Sequence, residues 1–115
     1  MPRDNERLID MLTAARGIRA RVQAASKDAF DSDEDLQIVL THLIEIIGEA
    51  ARSVTQEFRA VHPNIPWADI IGMRHRLIHD YSNIDLEQVW GTAVRDIPTL
   101  ISLVEPLIPP EEPAP

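Results

Sequence analysis

The sequence has 115 residues, a length that suits a single domain built around one hydrophobic core. It contains no cysteine, which excludes a disulfide framework and a thiolate metal site and fits a reducing compartment such as the cytoplasm. The net charge of −8, from 19 acidic and 11 basic residues, argues against broad electrostatic binding of nucleic acid. The first residues lack the apolar segment of a signal peptide, and no apolar run reaches the ~20 residues of a membrane span, so we expect a cytoplasmic chain without membrane contact.

The first half of the chain predicts two helices. Apolar residues recur every three to four positions over 4–29 and again over about 33–61, which is the spacing of one helix face. Ser32, followed three residues later by Asp35, predicts an N-cap for the second helix. We therefore interpret the acidic run 28–35 as capping and solvation rather than as a metal site. The second helix would be about 40 Å long at 1.5 Å per residue, which is long for so small a domain.

The second half predicts two more helices. Pro66 stops the second helix together with the proline three residues before it, and it suits the first position of the third helix. A short loop is expected at 81–85. Asp85 with Gln88 then resembles a capping box for a fourth helix, which Pro98 should bend or split.

No segment alternates with a period of two, so the predicted fold class is an all-α bundle of four to five helices. The bundle would occupy residues 1–108, and the proline- and glutamate-rich segment 109–115 predicts a disordered tail. The apolar stripes of the second and fourth helices are wide enough to need a further covering surface, most simply a second copy of the chain. We therefore expect a homodimer.

The stretch RHRLIHDY, at 74–81, places cations and imidazoles where a core helix should close. Helical spacing puts Arg74 on the apolar face with Ile70, where a guanidinium must be paired or must face a cleft or an interface. One interpretation is structural, with a buried Arg74 paired to Glu45 or Glu49 of the second helix.

The other interpretation is catalytic. His79 lies five residues after Arg74, so the two side chains can converge only if the helix ends near His79 or if two copies meet at a dimer axis. Arginine, histidine and tyrosine without metal or cysteine are compatible with RNA cleavage by the ribose 2′-OH, in which an imidazole moves the proton and an arginine stabilises the phosphate. Taken alone, a histidine such as His79 is more often a favourable cationic contact at a helix C-terminus than a catalytic group.

Other site chemistries receive little support from the sequence. No HExxH-like spacing predicts a metal site, and no serine stands near a plausible base. His62, His75 and Arg76 are predicted to be exposed surface residues.

The segment IPWADIIGMRHRLIHDYSNIDLEQVW (65–90), with the upstream IIGEAARSVTQEFRAVHPNIPW (46–67), resembles the minimal HEPN family and, more narrowly, the HepT-type toxins. The motif of these proteins is Arg, four residues, His, one residue, Tyr, which Arg74, His79 and Tyr81 match. The resemblance covers nearly the whole chain. It implies a helical bundle that dimerises and brings two Arg/His sets into one composite cleft.

The resemblance also implies a function. Active members are metal-independent ribonucleases that act as toxins, usually encoded beside a minimal nucleotidyltransferase antitoxin that can transfer AMP from ATP to the motif tyrosine. By this resemblance Arg74 would bind and polarise the phosphate of an RNA substrate, His79 would be the acid/base, and Tyr81 would be the modification site. Glu49 would orient Arg74, and neither a metal nor a cofactor is implied.

Two further residues are expected to support the site, His75 and Arg76. His75 stands where the family commonly has asparagine, and it is bulkier and titrates. Asp80 stands where relatives often carry glycine, which adds negative charge beside a phosphate site. Two other hypotheses therefore stay open: a catalytically weak HEPN subunit that binds a nucleotide or docks the nucleotidyltransferase, and a structural dimer with another partner. If RNA is cleaved, the acidic segment 28–35 should lie away from the cleft.

Overall fold

The computed structural model describes residues 3–80 and 83–109, and of His79 and Asp80 it describes the backbone alone. The helices are α1 (Asp4–Gln23), α2 (Lys27–Asp31), α3 (Glu34–Arg52), α4 (Gln56–Val61), α5 (Trp67–Ile71), α6 (Met73–Leu77), α7 (Leu86–Gly91) and α8 (Ile97–Val104). A π-helical segment, Thr92–Asp96, joins α7 to α8, and a 3₁₀ turn, Glu105–Leu107, follows α8. Two short strands, β1 (Ile78–Asp80) and β2 (Asn83–Ile84), pair antiparallel. The predicted all-α class is confirmed.

The core lies where α1 packs along α3 and against α8. Its members share near-complete burial and the predicted helical spacing: Leu8, Met11, Ala15 and Ile18 of α1, Leu40, Ile44 and Ile47 of α3, and Ile97, Leu100 and Val104 of α8. Each large aliphatic side chain buried in this way stabilises the fold by about 1.5–3 kcal/mol relative to exposure. Within the described residues no helix is both long enough and apolar enough to span a bilayer.

The first predicted helix is too long, because a serine starts a new helix inside it. The helix α1 ends at Gln23, and the Ser26 hydroxyl accepts a hydrogen bond from the Ala29 N–H to begin α2. The predicted cap at Ser32 is also wrong. Ser32 ends α2, and Asp33 is the N-cap of α3, with its carboxylate accepting from the Leu36 N–H at 3.1 Å.

The second predicted helix, 33–61, is divided into α3 and α4. Thr55 caps α4 by accepting a hydrogen bond from the Phe58 N–H. The Asp4 carboxylate at the start of α1 in turn accepts from the Thr55 N–H at 2.9 Å and from its hydroxyl at 2.7 Å. This long-range contact fixes the break between α3 and α4, and no local pattern in the sequence announces it.

The third predicted helix was expected to start at Pro66, but Pro66 is the residue before its first residue, Trp67. This helix is also divided, at Gly72, into α5 and α6. After the break Met73 and Leu77 take the buried positions and Arg74 is exposed, so the prediction that Arg74 lies on the apolar face is wrong. Gly48 lets the end of α5 approach α3, since a Cβ at Gly48 would lie 3.3 Å from the Ile70 carbonyl oxygen.

The region predicted as a loop at 81–85 contains strand β2. Ile78 pairs with Ile84, and Asp80 pairs with Asn83. The predicted cap at Asp85 is confirmed, because its carboxylate accepts from the Gln88 N–H at 3.1 Å. The Asp85 N–H donates to the Leu77 carbonyl at 2.8 Å rather than to a Gln88 side chain. Of the predicted tail, 109–115, the residues 110–115 lie outside the part of the chain that the structure describes.

The fourth predicted helix is interrupted before Pro98, as expected, and the interruption has a defined form. Pro98 has no N–H to donate to the carbonyl four residues earlier, and the π-helical segment Thr92–Asp96 precedes it. A π segment adds one residue to a helical turn and so rotates everything after it. The apolar spacing of the sequence still holds on both sides, with Val89, Ala93 and Ile97 buried.

Candidate functional site

Arg74 projects from α6 with half of its side-chain surface exposed. Its Nε donates to Glu45 Oε2 on α3 at 3.1 Å, and the Glu45 side chain is 33% exposed. No further hydrogen bond from the Arg74 guanidinium is found in the part of the chain that the structure describes. Because an arginine offers five N–H donors in a planar fork, the two Nη nitrogens, which have no partner among the described residues, can bind an oxyanion.

The structural interpretation of Arg74 is thus right about one partner and wrong about burial. An ion pair with this exposure stabilises the fold by less than about 1 kcal/mol. Its main effect is geometric, since it favours one direction for the guanidinium.

Glu49 does not contact Arg74, which corrects the prediction that Glu49 orients it. The Glu49 side chain is 63% exposed, and in the described part of the chain it forms an ion pair with Arg52, with 3.9 Å between the Arg52 Nη2 and the Glu49 carboxylate. The end of α5 is seated at Gly48, and α6 continues from there alongside Glu45. The orienting contact therefore belongs to the acid one helical turn earlier.

The chain turns sharply where the motif histidine is placed. Helix α6 ends at Leu77, and His79 belongs to β1. The helix therefore ends before His79, which is one of the two conditions under which Arg74 and His79 could converge. The side chain of His79 and the whole of Tyr81 lie outside the described residues, so their assignment to the site stays a prediction.

The two supporting residues lie on the surface, as predicted from their spacing. His75 and Arg76 are both exposed, and the Arg76 Nη2 donates to the Asp69 carbonyl at 3.2 Å. The prediction of an exposed His62 is wrong. Its ring packs on Phe58 at 4.5 Å between centroids and is half-buried.

An open cavity of about 430 Å³ adjoins Glu45 between α1 and α3. Its polar lining includes Arg7, Asp10, His42, Glu45 and Glu49. His42 was not singled out from the sequence, although its position three residues before Glu45 places the two on the same face of a helix. The lining is predominantly acidic, so this cavity does not favour a phosphate.

Metal ligands do not gather in the described part of the chain. No group of three or more histidine, aspartate or glutamate side chains lies close enough to hold a metal ion there.

The amino-acid sequence matches the model of a known protein family. The family model described as "Ribonuclease HepT-like" matches residues 11–107, which include α3, α6 and the whole motif region. The chain belongs to the HepT-like ribonuclease family. The resemblance inferred from the sequence is thereby confirmed, and with it the expectation that the chain is of the ribonuclease class.

Individual members of the HepT-like family are similar over most of their length. "Putative RNase TTE0752" of Caldanaerobacter subterraneus subsp. tengcongensis is 36% identical over 80% of this chain and 82% of its own length. "Probable ribonuclease HepT" of Thermococcus cleftensis is 38% identical over 68% of this chain and 71% of its own length. "Putative RNase MJ1380" of Methanocaldococcus jannaschii is 32% identical over 85% of this chain and 90% of its own length. No solved structure matches this chain significantly.

Proposed function

We propose that this chain is a metal-independent endoribonuclease and the toxin of a toxin–antitoxin pair. Membership of the HepT-like ribonuclease family supports the reaction class. The observation that carries the proposal is the one-sided contact of Arg74, which is anchored at Nε by Glu45 and whose Nη donors have no partner among the described residues. A guanidinium held in this way is ready to bind two oxygens of one phosphate.

The proposed reaction uses the RNA as its own nucleophile. The ribose 2′-oxygen attacks the adjacent phosphorus and the bond to the 5′-oxygen breaks, which gives a cyclic phosphate and a free 5′-hydroxyl. His79 takes the proton from the 2′-hydroxyl, and an imidazolium, on the same histidine or on His79 of the second copy, supplies a proton to the leaving 5′-oxygen, since imidazole exchanges protons near neutral pH. Arg74 stabilises the charge that develops on the phosphate oxygens.

Partners complete the proposal. Two copies of the chain would form a homodimer and bring two Arg74/His79 sets into one cleft. A nucleotidyltransferase antitoxin would silence the nuclease by transferring AMP to Tyr81. These assignments rest on the family motif, and the exposure of α6 is consistent with access from outside the chain.

The decisive experiment is RNA cleavage by the purified chain with and without EDTA. We expect EDTA-resistant cleavage that falls by about 10²–10³-fold in Arg74→Ala, the range for removing a charge-stabilising donor. A comparable loss is expected in His79→Ala. Arg52→Ala is the matched control, because Arg52 is an exposed arginine whose ion pair with Glu49 is long, at 3.9 Å. Cleavage that survives Arg74→Ala and His79→Ala would refute the mechanism.

A second function is favoured by one observation. The acidic cavity beside Glu45 opposes RNA phosphates, as expected of a catalytically weak subunit. Since the same carboxylates would also oppose the phosphates of a nucleotide, this observation favours a subunit that docks the nucleotidyltransferase over one that holds a nucleotide. Intact mass separates the cases. An inactive chain of unmodified mass supports the binding subunit, whereas an inactive chain carrying the added mass of AMP on Tyr81 is a silenced toxin.

A further inference from the structure

A second cavity, of about 250 Å³, lies on another side of α6 from the Arg74–Glu45 contact, between α5–α6 and α8. Its apolar wall is formed by Ile70, Met73, Ile97 and Leu100, all of which are buried. Drug-sized ligands occupy about 300–1,000 Å³, so this cavity suits a single ring system rather than a whole nucleotide.

The rim of this cavity carries hydrogen-bonding groups that other described residues leave largely without partners. Asp69, Arg76, Asp96 and Thr99 line it. Arg76 uses one Nη nitrogen on a backbone carbonyl, and in the described part of the chain neither aspartate carboxylate takes part in an ion pair or accepts a hydrogen bond. The rim thus offers two acceptor carboxylates, a cationic donor and a hydroxyl around an apolar slot.

The composition of the rim selects the ligand. Two carboxylates against one arginine give a net negative rim, which rejects a phosphate. A flat heterocycle with both donors and acceptors on its edge fits instead. Arginine donates to O6 and N7 of guanine, and carboxylates accept from exocyclic amines and ring N–H groups of bases. Guanine places two neighbouring donors, N1–H and the 2-amino group, beside two neighbouring acceptors, O6 and N7.

We propose that this cavity binds an unstacked guanine base of a single-stranded RNA. Sequence-selective RNA binding generally relies on bases that leave the stack and are read at their edges. The π-helical segment contributes here, because it ends at Asp96 and so sets the direction of that carboxylate and of Ile97 beside it. The inference rests on the proposed function, since it treats RNA as the ligand and makes the cavity a specificity site on another side of α6 from Arg74.

The test uses the methionine methyl groups of the full chain and does not depend on catalysis. The sequence has three methionines, of which Met73 lines the cavity and Met11 is buried in the core. With ¹³C-methyl methionine, the Met73 signal is assigned from Met73→Leu. The probes are guanosine 5′-monophosphate and two uncleavable 2′-O-methyl pentanucleotides, one with a central guanine in uridines and one of uridine alone.

We expect the guanine pentanucleotide to shift the Met73 signal saturably, at a Kd at least tenfold below that of the uridine strand, with Met11 unmoved. Asp69→Asn and Asp96→Asn should each raise that Kd about tenfold. Both residues are exposed, so these variants keep the core. Asp28→Asn, another exposed carboxylate, is the matched control and should change nothing.

Equal shifts with both strands, or none, would overturn the inference. A response to the monophosphate without one to the guanine strand would overturn the assignment to RNA. If the wild-type chain cleaves RNA while Met73 stays silent, this inference alone fails. If Met73 responds to the guanine strand but no RNA is cleaved, the inference stands and the proposed nuclease function fails.

Discussion

At the scale of single residues, the contact between Arg74 and Glu45 decides what Arg74 can do. A carboxylate that gripped both Nη nitrogens would compete directly with a phosphate. The contact through Nε leaves that edge of the guanidinium free and restricts its rotation. Glu45 is therefore a positioning residue in the proposed reaction, and it would act through Arg74 without touching RNA.

This assignment predicts different effects for the two acids of α3. Glu45→Ala should lower the kcat/KM for RNA cleavage by about tenfold, since small misplacements of a catalytic group are costly. Glu49→Ala, one turn away and 63% exposed, should leave it within about twofold. Measured over a range of pH, the kcat/KM of Glu45→Ala should reach a lower plateau than that of the wild type, while the midpoints of the pH profile stay unchanged. A larger loss in Glu49→Ala than in Glu45→Ala would return the orienting role to Glu49.

Asp4 provides a second residue-scale prediction. The hydroxyl of Thr55 lowers the pKa of the Asp4 carboxyl below its usual 3.8, partial burial opposes this shift, and the Thr55 N–H lowers the pKa further. Because the pKa is lower in the folded state, the stabilisation is complete above the unfolded value and is lost as the pH falls through the folded value. Asp4→Asn should therefore cost about 1 kcal/mol of unfolding free energy at pH 6, the size of a typical hydrogen-bond loss.

The measurement is urea unfolding of both proteins between pH 6 and pH 3. The difference between wild type and Asp4→Asn should shrink as the pH drops below 4. Asp10→Asn, a more exposed acid on the same helix, provides a comparison. A difference that grows towards low pH would show that Asp4 is not stabilised as a carboxylate.

At the scale of helices, the absence of a side chain at Gly48 determines how closely α5 approaches α3. A Cβ on Gly48 would lie 3.3 Å from the Ile70 carbonyl oxygen, which belongs to backbone and yields little. A Cβ on Gly17 would meet only the ends of the Arg21 and Leu43 side chains, at 3.4 and 3.5 Å. The two glycines thus occupy similar helices with different surroundings.

Alanine at these positions should have opposite effects on stability. Gly17→Ala should raise the unfolding free energy by about 0.5–1 kcal/mol, the propensity gain in a helix interior. Gly48→Ala should lower it by about 1 kcal/mol, because overpacking against backbone exceeds that gain. Thermal and urea unfolding would measure both, and a stabilising Gly48→Ala would mean that α5 moves aside freely. Since α6 follows α5, Gly48→Ala should also weaken RNA cleavage if the proposed site is correct.

At the scale of the whole molecule, the proposed homodimer should control activity. Ile38 on α3 is 56% exposed, more than any large apolar side chain of α1. Sedimentation of the 13.0 kDa chain should give twice that mass, and cleavage per chain should rise with protein concentration as the dimer forms.

Charge placed on α3 tests the interface. Ile38→Glu should weaken the dimer by at least tenfold in Kd, because it buries a charge against an apolar surface. Ile9→Glu, on an α1 side chain that is 43% exposed, is the matched control and should leave the dimer intact. A fully active monomer would contradict the composite cleft.

The sequence by itself determined the fold class, the buried faces of α1 and α8 and the cap at Asp85. These features follow from spacing and from contacts within a few residues, so short-range physics is sufficient to predict them. The RHRLIHDY motif and its surrounding segment likewise indicated the family, because that signal consists of residue identities in fixed order.

The tertiary structure alone decided where the second and third predicted helices break and which acid holds Arg74. Asp4 caps the turn at Thr55 across 51 residues, and Gly48 determines where α5 meets α3; no local pattern contains either contact. The break at Gly72 then moved Arg74 from the apolar face to solvent and gave its contact to Glu45 instead of Glu49. Helical periodicity assumes an uninterrupted helix, and each break resets the face on which every later side chain lies.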